Sequence, residues 1–320
     1  MNMKNKKYYL LITGTQNIKG FSLIEFLVAS ALSMIVLVAV SKGYFTARQL
    51  NNAADSRMNI QQDLRNAANM VVRDARMAGG FGCFNMMADI EKHTETIGSG
   101  SAVVVKAKKG SRTISDKNTN TSGSEAFRLE NDADNLMPVR SIARADFSPA
   151  GFAASSDALV FIYGSENPSV GEPLVFSTCN ALVRPADDNR PATATIKSEL
   201  GGATVNDSEI SVLRYAVHAY ATGSIGGQTG FFRFQLNGDS WGNPQLLVSG
   251  VTGATFRYLY VNNCPDGAGH TETFQYSTEL NRVPAFVRIN LNGGAANANQ
   301  IYTIDATIRG GNTCANRSLS

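Results

Sequence analysis

Cys83, Cys179, Cys264 and Cys314 are the residues best suited to covalent chemistry, and their spacing narrows what that chemistry is. No two of them form the C-x-x-C pair of zinc or redox motifs. His93, His218 and His270 are as scattered, with no Cys, Asp or Glu at a ligand spacing that a helix would align. His218, in an apolar strand-like run, reads as a packed or hydrogen-bonded core histidine. G-x-S-x-G, the Walker loop and H-E-x-x-H do not occur. The expectation is therefore a non-enzymatic chain with no metal and no cofactor. "ENDADN" at 130–135 lacks the sixth-position glycine and twelfth-position glutamate of a calcium loop. "KAKKGSR" at 106–112 could meet nucleic-acid phosphates, but a solvated hairpin tip accounts for it better. Disulfide chemistry remains, since four well-separated cysteines in an exported chain fit two bridges. Three pairings are open, of which Cys83–Cys179 with Cys264–Cys314 is favoured.

Glu25 raises a different chemical question. Residues 21–41 are apolar apart from Glu25 and a few serines. At about 1.5 Å per residue this run is long enough, as a helix, to cross a bilayer. A carboxylate at the centre of such a helix costs about 2.5–3.5 kcal/mol, so Glu25 calls for a partner. Lys4, Lys6, Lys7 and Lys19 precede the run, with no Asp or Glu among the first 20 residues. The positive-inside rule keeps that end in the cytoplasm and sends the rest across, where disulfides persist. Setting those four lysines aside, 25 basic residues face 26 acidic ones, so net charge makes no case for nucleic-acid binding. A cleaved secretory signal ending near "ASA" (29–31) fits poorly, because ten apolar residues follow it. An uncleaved anchor, with Glu25 reaching interfacial water, is the stronger plain alternative.

The segment "KGFSLIEFLVA" (19–29) resembles the cleavage motif of type IV prepilins and type II secretion pseudopilins. That resemblance implies cleavage by a membrane aspartyl peptidase between Gly20 and Phe21, then methylation of the new Phe21 amine. The freed amine lies about one helical turn from Glu25, and in a bundle Glu25 of one subunit can pair with Phe21 of its neighbour. Such a pair would compensate the charge and set the axial stagger. A leader of 20 residues containing "YYLLI" is longer and greasier than many in the family.

These groups need elements to hold them. From Tyr44 to Ala78 there is no Pro or Gly, and Leu50, Ala54, Ile60, Leu64, Ala67, Val71, Ala75 and Ala78 recur at helical spacing. A helix over 21–78, about 85 Å long and bent or not at Gly43, is expected, with Gly79 or Gly80 as its left-handed cap. Cys83 would then sit at the helix exit. Beyond residue 84 the period turns to two, predicting strands at 101–107, 125–130, 157–163, 173–178, 210–220, 230–236, 253–261, 285–291 and 301–309. No strand–helix–strand alternation appears, so the predicted fold class is α+β, a long helix packed on an antiparallel sheet. Residues 84–156 show no pattern that maps as a whole.

"RDARMAGGFGC" (73–83), "LRYAVHAY", "FFRFQLNG", "QLLVSGVTGATFRYLYV", "FVRINL" and "ATIRG" resemble, in order, the PilW-like minor pilins and J-type pseudopilins. The resemblance implies a cleaved leader (1–20), a membrane and fibre-core helix (21–43), an amphipathic continuation (44–80) and a periplasmic or extracellular β-rich head (81–320). It further implies a subunit of the inner membrane and then of an extracellular pilus, a fibre used in motility, adhesion or DNA uptake. Its partners would be prepilin peptidase and other minor and major pilins. The rival readings are a secretion pseudopilin and a membrane-tethered binding module.

Overall fold

The computed structural model describes residues 20, 22–85, 113–116, 138–166, 168–169, 171–179, 181–184, 190–200, 205–237, 240–262, 273–280, 284–293 and 301–308. Phe21, His93, His270, Cys264, Cys314, the expected strands at 101–107 and 125–130, "KAKKGSR" and "ENDADN" lie outside them.

Helix α1 is Leu23–Met77 and continues through Gly43 without interruption. The chain forms two compact units, Met1–Asn59 and Ile60–Ser320. In the first, every described residue is solvent-exposed, including Leu23, Phe26, Ile35, Leu37 and Phe45. In the second, the helical stripe Leu64, Ala67, Val71, Ala75 and Ala78 is buried or partly so, as its spacing predicts. Gly79, at φ 76°, supplies the left-handed residue past the helix end, and its N–H donates to the Ile162 carbonyl. The chain can thus leave the helix and join the sheet within two residues.

The strands are β1 (Gly80–Phe81), β2 (Phe84–Asn85), β3 (Thr113–Asp116), β4 (Val139–Ile142), β5 (Phe152–Ala154), β6 (Ala158–Ser165), β7 (Leu174–Ser177) and β8 (Ala181–Arg184). Then come a short helix α2 (Thr193–Leu200), β9 (Ser211–Ile225), β10 (Gln228–Asn237), β11 (Ser240–Ser249) and β12 (Val251–Asn262). Strands β13 (Thr273–Ser277), β14 (Phe286–Gly293) and β15 (Ile301–Thr307) complete the described part. One sheet has nine strands and is centred on β9, which pairs β10 and β7 along one edge and β6 and β5 along the other. A second sheet has the order β13-β12-β14-β15. Pairing is antiparallel except for β3 with β8. The sequence pattern suggests a single sheet against the helix; the structure has two, plus the small β1–β2 hairpin.

Strand alternation divides the core. Leu159, Phe161, Tyr220 and Phe231 point from the larger sheet toward α1 and the inner face of the four-stranded sheet, where Tyr258, Val287 and Ile289 meet them. The opposite face of the larger sheet carries Val160, Ile162, Val217, Ala219, Phe232 and Phe234, packed with Phe81, Phe84, Phe147 and Phe152. Both faces of the central strands are therefore buried, which is why β6 and β9 read as apolar runs rather than as alternation.

Candidate functional site

The helix start is built by Ser22, Glu25 and Phe26. Ser22 precedes the first helical residue, and its carbonyl accepts the Phe26 N–H at 3.1 Å. Glu25, three residues later, turns its Oε2 back to accept the Ser22 N–H at 3.0 Å. This is half of a capping box, with the negative side chain at the positive end of the helix. The S-x-x-E spacing that signals it is legible in the sequence. Gly20 is exposed beside it, and a Cβ there would meet nothing within 4 Å. Glu25 is exposed, as are all its helical neighbours to residue 59.

A second constellation lies in the other unit, where the sequence gives little warning of it. Asp74 belongs to the buried stripe of α1, between Val71 and Ala75, and is fully buried. Its Oδ1 accepts the Tyr163 hydroxyl at 2.8 Å, and its Oδ2 accepts the Tyr220 hydroxyl at 2.6 Å. Arg233 donates to Oδ2 from Nε and Nη2 at 3.0 and 2.9 Å. The exposed Arg73 adds bonds of 3.2–3.3 Å to Oδ1. Tyr163, Tyr220 and Arg233 come from β6, β9 and β10, so one carboxylate ties the helix to three strands. Burial alone would raise the Asp74 pKa, but the Arg233 guanidinium and the two tyrosine hydroxyls outweigh it and hold the carboxyl below its usual value.

His218, on the same face of β9, puts its Nδ1 3.8 Å from Asp74 Oδ2. Burial, then the charge of Arg233, pushes its pKa down to about 3, so the imidazole is neutral at ordinary pH. Nδ1 makes no hydrogen bond among the described residues. His218 is thus packed beside the ion pair rather than bonded into it. A buried Asp, two tyrosines, an arginine and a neutral histidine could move protons in an open cleft, but here the first four are committed to one another and the histidine is packed beside them in the core. The arrangement can lock; it offers no surface to a substrate.

The structure joins Cys83 and Cys179 in a disulfide, with Cα atoms 4.7 Å apart. Both cysteines are exposed, one in the β1–β2 turn and one just past β7. The Ser177 hydroxyl donates to the Phe81 carbonyl at 2.7 Å beneath the bridge, so the hairpin is held twice. No group of three or more His, Cys, Asp or Glu that could hold a metal occurs among the described residues.

Residues 15–41 match the family model for the prokaryotic N-terminal methylation motif. No curated protein and no solved structure matches the chain. The matched segment contains Gly20, Phe21 and Glu25 and opens the apolar helix, so it coincides with the first of these constellations. Together with the long apolar helix and the antiparallel head, it supports a type IV pilin-like or pseudopilin-like protein, structural in role, anchored through its N-terminal helix, processed by prepilin peptidase and assembled with other pilins.

Proposed function

We propose that the protein is a minor subunit of a type IV pilus, of the PilW-like kind, cleaved after Gly20 and helping to start or cap the fibre. The observation that carries this reading is the methylation motif at the start of a helix whose membrane-length apolar stretch is left uncovered by the described residues. None of the helix's most apolar 18-residue stretch is buried. Such a surface needs lipid first and other helices afterwards. Residues 1–20 are then the leader, 21–43 the membrane and fibre-core segment, 44–80 the continuation into the head, and 81–320 the head on the far side of the inner membrane.

Glu25 has a part at both stages. Before assembly its Oε2 is satisfied by the Ser22 N–H, which eases its stay in lipid. In the fibre it receives the Phe21 amine of a neighbouring subunit, an ion pair that fixes register between helices. Mass spectrometry of the protein from its own cells tests the processing step. A chain beginning at methylated Phe21 is expected, whereas an intact Met1 would refute it. Glu25→Ala is expected to insert normally yet fall several-fold in sheared pili, and undiminished incorporation would count against the pairing.

A further inference from the structure

Past residue 59, the exposed large apolar side chains among the described residues are Met77, Phe274 and Tyr276. Phe274 is 62% and Tyr276 45% exposed, and they alternate on β13, so both rings stand on the outer face of the four-stranded sheet, about 7 Å apart along the strand. The strand register lays out the rest of that face in rows. Tyr276 lies opposite Leu259, and Leu259 opposite Phe286; the next row is Arg257, Arg288 and Asp305. Beyond it stand Thr255, Asn290 and Thr303.

Two pairs within the polar rows are held in place. Arg288 grips Asp305 at both ends, Nε to Oδ1 at 2.8 Å and Nη2 to Oδ2 at 3.1 Å. The Arg288 guanidinium carbon is 5.2 Å from the centre of the Tyr276 ring. Thr303 donates to Asn290 Oδ1 at 3.0 Å. An apolar platform therefore borders fixed donors and fixed acceptors in alternation, on a sheet whose other face is packed into the core.

We propose that this face binds a neutral carbohydrate chain. A sugar ring offers a patch of C–H bonds that lies flat on an aromatic ring, and hydroxyls that both donate and accept around its rim. The two exposed rings and the Arg288–Asp305 and Asn290–Thr303 pairs meet both needs. A nucleic acid asks for a row of unpaired cations under its phosphates. Here the row holds Arg257 and Arg288 against Asp305; Arg288 is neutralised by Asp305, which leaves Arg257 as one cation rather than a row of them. A protein partner of standard size covers about 800 Å² with an apolar centre, more than two rings supply.

The test uses the full-length chain in detergent micelles against maltohexaose, cellohexaose and chitohexaose, with a hyaluronan hexasaccharide and a dT12 oligonucleotide alongside. Saturation-transfer NMR reads contact with sugar C–H groups, and titration gives the Kd. Binding of at least one neutral hexasaccharide is expected, weakened about ten-fold or more in the double variant Phe274→Ala, Tyr276→Ala. Both side chains are exposed, so circular dichroism and the unfolding midpoint of that variant should match the parent. The proposal is overturned if none of the neutral sugars binds at millimolar concentration, if the double variant binds as well as the parent, or if dT12 or hyaluronan is preferred.

Discussion

Replacing Asp74 by Ala should cost about 3–5 kcal/mol of head stability, although the side chain touches no solvent and no expected assembly surface. The change removes one member of a buried ion pair, which by itself costs about that much because the other charge is stranded. It also leaves the hydroxyl protons of Tyr220, which is fully buried, and Tyr163, which is 4% exposed, without their acceptor, though Tyr220 keeps the 3.1 Å bond it accepts from Arg233 Nε. Each buried hydroxyl left without a partner costs about 1–3 kcal/mol. Arg233 tempers the total, because its side chain is 15% exposed and can turn partly to water. The estimate therefore stays at the ion-pair value rather than the sum. Urea unfolding of the full chain in micelles measures it, followed by near-ultraviolet circular dichroism of Trp241, the one tryptophan, which packs edge-on to Phe147 at 5.4 Å. Tyr220→Phe removes the donor to Asp74 and one acceptor of Arg233 Nε, which keeps its bond to Asp74, and should cost about 1 kcal/mol. Asp74→Leu combined with Arg233→Met should recover the ion-pair part of the loss, since hydrophobic isosteres of a buried pair are often neutral, and leave the cost of the two unpartnered tyrosine hydroxyls. A loss below about 1 kcal/mol for Asp74→Ala would refute the reasoning, because the carboxylate would then be holding nothing.

Acidification from pH 7 to 5 should cost about 2 kcal/mol through His218: its folded pKa is about 3 against a usual 6.5, so below 6.5 the unfolded chain takes up a proton the folded chain refuses. His218→Phe should flatten that slope in a urea titration run at several pH values. Asp74 adds a second acid loss, confined to pH values near and below 4, because a depressed carboxyl stabilises only while ionised; Asp74→Asn should remove it. Cys83→Ser should lower stability by about 2–4 kcal/mol, since the bridge closes a sequence separation of 96, and the β1–β2 hairpin should stay seated on Phe81 and Phe84, as amide exchange can show. Gly223→Ala should cost about 1–3 kcal/mol, because an added methyl runs into the Ala153 carbonyl and the Phe152 ring where β5 meets β9.

The N-terminal half of the architecture was open to sequence reading because its signals are local. The apolar run at 21–41, the stripe from Leu64 to Ala78 and the glycine stop each use the 3.6 period or a backbone preference, and α1 ends within one residue of the predicted point. Strands β6, β7, β10, β12 and β14 lie within two or three residues of their predicted bounds for the same reason. Strand β9 runs on to Ile225 because "ATGS", which looks like a turn, is held on both sides by β5 and β10. Strand β11 escaped because Gly242, Asn243 and Pro244 resemble a loop; Asn243, at φ 50°, and Pro244 are tolerated where, among the described strands, β10 alone pairs it. Of the chemistry, the Gly20–Glu25 spacing is written in the chain, while the Asp74 lock is not. Its members are up to 159 positions apart, and only tertiary pairing unites them. One clue existed: a carboxylate within an alanine and valine stripe, and a lone arginine within "FFRF".

Under the proposed role, in which the chain is hauled by its N-terminal helix, the Cys83–Cys179 bridge acquires a mechanical meaning. Tension leaving that helix after Met77 reaches Cys83 almost at once and can cross the sulfur atoms directly to Cys179. The intervening polypeptide, with β2 to β7 in it, is shunted out of the load path and cannot be reeled out while the bridge is closed. What yields under traction is then the remainder beyond β7, where β9 is flanked on both edges and must be sheared from its neighbours all at once.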